Sequence, residues 1–285
     1  MRASAYLNLY ENMLAGKSVI PAELMNMYLA ALSKEKEELN LNLITGQASD
    51  IYWHYIQRME RTRLASTMAT SVWTALKQQQ APGKKKILFR TYQSIAMAPG
   101  ALDTLYKIWK EQQPPAGIKL SEDEYTSLAL SLAVKDYSDS SILQTQLSRL
   151  TNNDRKQRLQ FLMPSVSRDQ DTRDAFFASL KELSVRKKEA WVGDALSYLH
   201  HPLRTATSIK YLQASLDMLE EIQRTNDIFF PGTWMNATLG SYQSAEAATI
   251  VRNFLEAHPV YNPQLRMKIL QAADPLFRAE KLLKK

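Results

Sequence analysis

Apolar residues recur every three or four positions along almost the whole chain, which is the spacing of helices that bury one face. In SEDEYTSLALSLAVKD, residues 121–136, Tyr125, Leu128 and Leu132 fall on a single helical face. Strands would show alternating apolar and polar residues, and tight hairpins between them would need more than the 8 glycines present. The pattern therefore predicts an all-α fold of about eleven or twelve helices.

Residues that cap the amino termini of helices recur at regular intervals in the middle of the chain. Ser121 with Glu124 forms a capping box, in which each side chain bonds a free N–H of the first turn. Further starts are predicted at Ser138 or Asp139, at Thr151 with Asp154, at Ser167 with Gln170, and at Asn262 followed by Pro263. A new helix thus begins roughly every 15 residues from residue 121 to residue 167, and a pair of helices spans roughly 30. This period predicts an α-solenoid of stacked antiparallel helix pairs.

Proline and glycine interrupt the helical pattern at three places. AMAPGA around Pro99 and EQQPPAG around Pro114 and Pro115 predict loops. QQQAPGKKK, Gln78 to Lys86, predicts a flexible surface turn or an internal boundary. None of these segments is a clear linker, so we expect a single helical domain over residues 1–285.

The composition narrows the class of protein. A chain of 285 residues with 45% apolar residues and a mean hydropathy of -0.34 is typical of a globular protein. No apolar run is long enough to predict a membrane span. The lack of cysteine excludes disulfides, thiolate metal sites and cysteine nucleophiles. The first residues do not read as a signal peptide, so we expect a cytoplasmic protein, or a periplasmic or exported one if a further segment precedes this chain.

The basic balance is weak evidence for a nucleic-acid partner. The formal net charge is +7 and the isoelectric point about 9.3. A nucleic-acid binder gathers its cations into a face or a stripe, whereas the only run of three lysines here is Lys84 to Lys86. We therefore expect no nucleic-acid partner.

Two adjacent histidines, His200 and His201, raise the question of a metal site. A zinc peptidase places two histidines four residues apart on one helix, with a glutamate between them as the base. Adjacent helical residues point about 100° apart, and Pro202 disfavours helical geometry at His201. A helix carboxy terminus, where imidazoles can bond free carbonyls, is the favoured interpretation.

Other catalytic motifs are missing from the sequence. It contains no phosphate-binding glycine loop and no GxSxG nucleophile elbow. Asp217, Glu220 and Glu221 are interpreted as the solvated face of a helix. The five tryptophans lie within apolar helical patterns and are expected in the core; they are Trp53, Trp73, Trp109, Trp191 and Trp234.

The chain resembles the carboxy-terminal helical domain of M1-family zinc aminopeptidases, bacterial members most of all. The resemblance is most distinctive from Glu189 onward, in the blocks EAWVGDALSYLHHPLR, TNDIFFP, NFLEAHP and YNPQLRMKILQAAD. The earlier pieces AYLNLYENML, IYWHYI and LYKIW also fit, so that the resemblance covers almost the whole chain.

In that family, an amino-terminal β domain and a thermolysin-like domain come first. The second carries HExxH, a further glutamate ligand and a GxMEN segment, and a HEAT- or armadillo-like helical bowl then closes over the active site. This chain has neither HExxH nor GxMEN, so no zinc ligand, base or amino-terminus anchor can be carried over. The resemblance implies a non-catalytic domain without its own cofactor, in a parent enzyme whose catalytic domain binds zinc.

The resemblance also implies partners, namely the catalytic and amino-terminal domains of the same polypeptide and the peptide substrate. Such a domain would cap the active site and shape access of peptides to it. The predicted substrate contacts are Arg204, Asp227, Phe229 and Phe230, since their segments combine charge with aromatic residues at helix ends. Interhelical packing is the competing interpretation for each of the four.

Two other classes stay open. A stand-alone α-solenoid that binds a partner protein would show the same helical pattern. A basic helical nucleic-acid binder would show affinity that falls steeply with salt.

Overall fold

The computed structural model describes residues 2–284, and these residues form helices and connections without a β-strand. The prediction of an all-α fold is confirmed. The chain divides into two compact units, with the boundary between Ile142 and Leu143. The single domain over residues 1–285 stays a prediction, and Met1 and Lys285 lie outside the described residues.

The first unit contains seven helices and one π-helical turn. The helices are α1 (Arg2–Leu14), α2 (Pro21–Ala31), α3 (Glu38–Asp50), α4 (Arg58–Gln78), α5 (Pro82–Ile95), α6 (Pro99–Glu111) and α7 (Glu122–Val134). The π-helical turn, Ile51–Tyr55, continues α3. Ile51, Tyr52, Trp53 and Tyr55 of this turn are buried. Arg61, on α4, donates a hydrogen bond to the Trp53 carbonyl.

Most helices of the second unit are shorter than those of the first, although the last one has 21 residues. The helices are α8 (Ile142–Arg149), α9 (Asn153–Leu162), α10 (Gln170–Ser179), α11 (Glu189–Leu199), α12 (Thr205–Ser208), α13 (Leu212–Asp217), α14 (Leu219–Thr225), α15 (Phe230–Leu239), α16 (Ala245–Ala257) and α17 (Pro263–Leu283). Three 3₁₀ segments connect some of them, at Met163–Val166, Val185–Lys187 and Ile209–Tyr211.

The segments are more numerous and shorter than the pattern predicts, and residues 205–225 show why. The indole N–H of Trp234 donates to the carbonyl oxygen of Ser215 at 3.2 Å. This carbonyl is the one that the N–H of Leu219 would need to continue α13 into α14. A tertiary hydrogen bond from a distant tryptophan therefore coincides with the break.

The helix caps test the predicted starts one by one. The capping box of Ser121 and Glu124 is present, and the Asn262 side chain accepts from the first turn of α17 behind Pro263. Asp139 accepts from the backbone N–H of Ser141, immediately before α8. Two predicted caps are wrong by one or two positions: Asn152, not Thr151, caps α9, and Asp169, not Ser167, caps α10.

Helices are interrupted at all three predicted places, at residues 79–81, 96–98 and 112–121, although the two shorter interruptions cover only part of the predicted segments. Pro99 begins α6, where its missing N–H has no helical partner to lose. QQQAPGKKK is not a long flexible turn, because only residues 79–81 lie outside helices and Lys84 to Lys86 belong to α5. Lys86 pairs with Glu124 at 2.8 Å.

Three of the tryptophans, Trp53, Trp109 and Trp234, are buried as expected. Trp73 and Trp191 are half-buried, so each presents part of its ring at the surface of its unit. Within residues 2–284, no helix combines the length and apolar character needed to cross a lipid bilayer.

Replacing Asn152 by alanine is expected to lower the free energy of unfolding by about 1 kcal/mol, because the side chain is the acceptor for the Arg155 N–H at the start of α9. Urea denaturation measures this loss. Asn153→Ala, the same substitution one position along in the exposed first turn of α9, is the matched control and should change the stability far less. An equal loss in the two variants would contradict the assignment of the cap.

Candidate functional site

The four residues 226–229 form a short connection between α14 and α15, which we name the Asp227 turn. A carboxylate oxygen of Asp227 accepts the backbone N–H of Phe229 at 2.9 Å, which closes the turn locally. The N–H of Phe230 donates to the Asp227 carbonyl at 3.0 Å and leads into α15. Pro231 follows within the first turn of that helix, where proline is tolerated.

Two side chains from other helices hold the backbone of the Asp227 turn. Glu189, the first residue of α11, accepts the Asn226 side-chain amide at 2.9 Å and the Asp227 N–H at 2.8 Å. The ammonium group of Lys268 on α17 donates to the Ile228 carbonyl at 2.8 Å. The turn is therefore fixed to α11 and to α17, at residues distant in sequence.

A third anchor is the buried guanidinium group of Arg186. The side chain is 0% exposed. It donates to the carbonyls of Leu180 and Lys181 at 2.7 and 2.8 Å, to Glu221 at 2.6 Å and to the Asn226 side chain at 3.3 Å. The two carbonyls lie just beyond the carboxy terminus of α10, where a cation is favoured.

Glu221 corrects one interpretation of the sequence. Asp217 and Glu220 are exposed as expected of a solvated helix face. Glu221 instead turns its carboxylate to Arg186 and forms an ion pair with it. A buried cation without such a partner would be strongly unfavourable, so Glu221 has a structural role.

The Asp227 turn exposes two apolar side chains although its backbone is firmly held. Ile228 is 63% exposed and Phe229 is 79% exposed. On α17, Met267 and Leu270 are also exposed, on either side of the anchoring Lys268 in sequence. Exposed apolar groups on a fixed connection are typical of contact surfaces. This arrangement is the strongest candidate for a functional site in the second unit.

The four predicted contact residues lie in two different environments. Asp227 and Phe229 are exposed in the turn. Phe230 is buried and packs edge-on against Trp234, with ring centroids 6.1 Å apart. Arg204 is buried at the start of α12, in a separate segment. Contact of any of the four with a peptide stays a prediction.

The paired histidines lie at the carboxy terminus of α11. The N–H of His200 donates to the Leu196 carbonyl, and its buried ring nitrogen Nδ1 lies 2.7 Å from the hydroxyl oxygen of Tyr242. Burial lowers the pKa of His200 to about 3, so the ring is neutral at pH 7. His201 accepts the Leu203 N–H through Nδ1 at 3.3 Å.

Imidazole bonding to a helix-terminal carbonyl occurs at another histidine. Nδ1 of His258, at the end of α16, lies 2.8 Å from the Phe254 carbonyl oxygen. Across the described residues, no three His, Asp or Glu side chains converge as a metal site would require.

The sequence did not reveal the three anchors of the turn. Arg186 and Glu221 are 35 positions apart, and Lys268 lies 40 positions from Ile228. No helical or turn spacing links residues at such separations, so only the fold brings them together.

Replacing Arg186 by methionine is expected to lower the free energy of unfolding by about 2–4 kcal/mol, because two backbone carbonyls and Glu221 lose their donor. Denaturation in urea, followed by circular dichroism, measures the change. Arg224→Met removes an exposed arginine from the same region and should have little effect. A loss below about 1 kcal/mol in Arg186→Met would contradict the anchoring role.

The low pKa of His200 makes stability depend on pH. In the unfolded chain the ring takes up a proton near pH 6.5, and in the folded protein only near pH 3. Its contribution to stability is thus complete above pH 6.5 and falls with acidification, by about 1.4 kcal/mol per pH unit. We expect His200→Gln to remove this part of the pH dependence between pH 6 and pH 4, and His201→Gln to retain it. Urea titrations at several pH values test this, and identical slopes for the wild-type protein and His200→Gln would contradict it.

A scan against protein-family models finds no match for the chain, and a search of curated proteins finds no match either.

Proposed function

We propose that this chain is the non-catalytic carboxy-terminal helical domain of an M1-family zinc aminopeptidase. In this role it caps an active site formed by the other domains of the same polypeptide and shapes the access of peptide substrates. Zinc belongs to the parent enzyme's catalytic domain. The proposal rests on the resemblance of the sequence blocks from Glu189 onward.

The Asp227 turn is the observation that most favours this role. It lies within TNDIFFP, one of the blocks that carry the resemblance. Glu189 and Lys268 hold its backbone and Arg186 bonds the Asn226 side chain, while Ile228 and Phe229 are exposed. A preorganised apolar contact loses little conformational entropy on binding. We propose that this surface meets the catalytic domain or the peptide that the catalytic domain holds.

We also propose the finer architecture, a HEAT- or armadillo-like α-solenoid. Short connections between consecutive helices support it, such as residues 79–81 between α4 and α5. In the first unit, α5 packs against α4 and also contacts α7. Stacked pairs of this kind are the elementary step of a solenoid.

A stand-alone interaction scaffold is the alternative function. The exposed apolar pair of the Asp227 turn would serve equally well for a separate partner protein. The two functions differ in one respect that can be measured, which is zinc-dependent peptidase activity in the polypeptide that contains this chain.

The first experiment compares this chain with the longest polypeptide that its gene encodes, using leucyl-7-amido-4-methylcoumarin with and without added zinc. We expect no turnover by residues 1–285 alone and zinc-dependent turnover by the longer polypeptide. Turnover by the chain alone, with contaminating peptidases excluded, would contradict the proposal. A longer polypeptide without such activity, or a gene that encodes nothing further, would favour the scaffold.

The role of the turn is tested in the same longer polypeptide with the double variant Ile228→Ser/Phe229→Ser. We expect kcat/KM for a decapeptide to fall about tenfold or more, since the contact is lost while the exposed positions leave folding unchanged. Met59→Ser removes an apolar side chain that is 86% exposed on α4 and serves as the control. Equal kcat/KM values for the double variant and the control would contradict a role for the turn.

A further inference from the structure

Two hollows lie next to each other in the first unit, with volumes of about 380 and 460 Å³. Both are lined by Trp73 and Lys77 of α4. Thr70 lines the first, and Thr104, Lys107 and Glu111 of α6 line the second. We name this surface, defined by these six residues, the Trp73 groove.

The groove is open because short side chains line one end of it. Ala69, Ala98, Gly100 and Ala101 border the first hollow and leave its volume unfilled. On α4, Thr70, Trp73 and Lys77 are spaced by three and four residues, so they share one helical face. Helices α4 and α6 thus form a hollow lined by small residues, next to the Trp73 ring and the Lys77 side chain.

Trp73 is held in place and is still accessible. Its ring lies 4.6 Å from that of Tyr92, centroid to centroid, at an interplanar angle of 41°. Tyr92 is buried, and its hydroxyl group donates to the Ala101 carbonyl at 3.4 Å. The ammonium group of Lys77 lies 5.9 Å from the centre of the Trp73 ring. A fixed indole beside an unfilled hollow is suited to an aromatic side chain from a partner.

Helices α4 and α5 are strongly basic, and the charged residues that line the groove are Lys77, Lys107 and Glu111. Between Arg58 and Ile95 the chain has eight Lys and Arg residues and a single acidic residue, Glu60. Arg63 pairs with Glu60, and Lys86 and Arg90 pair with Glu124. Within residues 2–284, Lys77 and Lys107 at the groove have no carboxylate within ion-pair distance. Their positive charge is available to an acidic partner.

We propose that the Trp73 groove binds an acidic peptide segment that carries an aromatic side chain. The aromatic ring enters the hollow beside Trp73, and flanking carboxylates face Lys77 and Lys107. Glu111 in the wall of the second hollow disfavours a phosphate backbone and can accept an amide N–H of the peptide instead. The site lies in the first unit and is independent of the function proposed for the Asp227 turn.

Fluorescence anisotropy tests the site with the fluorescein-labelled peptide acetyl-Glu-Asp-Phe-Glu-Asp-Lys(fluorescein)-amide, which has no free carboxy terminus. We expect saturable binding by the chain, and about tenfold weaker binding when the phenylalanine of the peptide is replaced by alanine. The double variant Lys77→Gln/Lys107→Gln should weaken binding at least about tenfold. Trp73→Ala should do the same, and Trp73→Phe should retain most of the affinity.

The matched control is Arg58→Gln/Lys84→Gln, which removes the same charge from α4 and α5 outside the groove and should change the affinity less than about twofold. Equal weakening in the two double variants would show that the peptide binds by general electrostatic attraction, and would overturn the proposal. Absence of binding at about 1 mM protein would overturn it as well. Tighter binding of a labelled dodecathymidylate than of the peptide would overturn it in favour of a nucleic-acid site.

Discussion

The buried guanidinium group of Arg186 is the interaction on which the local structure of the second unit depends. A fully buried cation persists only where oxygen atoms surround it. Here these atoms come from the end of α10, from Glu221 on α14 and from Asn226 at the start of the Asp227 turn. Because one guanidinium group donates hydrogen bonds to all of these oxygen atoms, it holds the end of α10, helix α14 and the turn together.

This anchoring explains why apolar side chains can stay exposed in the turn. A mobile connection would fold Ile228 and Phe229 back onto its own unit to remove them from water. Here Glu189 and Lys268 hold the backbone on either side, and the two side chains project outward. The first unit offers a comparable combination at Trp73, where packing on Tyr92 holds an aromatic ring beside an open hollow. In each unit, rigid support and apolar exposure occur at the same place.

The sequence predicts the fold class because glycine is scarce along the whole chain and helical spacing of apolar residues can be seen within each segment. It predicts the caps at Ser121 and Asn262 for the same local reason. It fails by one or two positions where neighbouring residues can all cap a helix, as in Thr151 and Asn152. At the candidate site it points to Asp227 and Phe229 but not to the anchors, since Arg186, Glu221 and the turn are brought together by tertiary packing alone. The break between α13 and α14 likewise coincides with a tertiary hydrogen bond, the one from Trp234.

We propose that the Asp227 turn is a contact surface within a larger enzyme, and photocrosslinking from the turn is the most direct test of this role. Phe229, which is 79% exposed, is replaced by p-benzoylphenylalanine in the longest polypeptide that the gene encodes, and crosslinked peptides are identified by mass spectrometry. We expect crosslinks to the zinc-binding catalytic domain of the same polypeptide, well above those from the same label at Met59. Crosslinks that are no more frequent than at Met59, or that join only a separate protein, would contradict it.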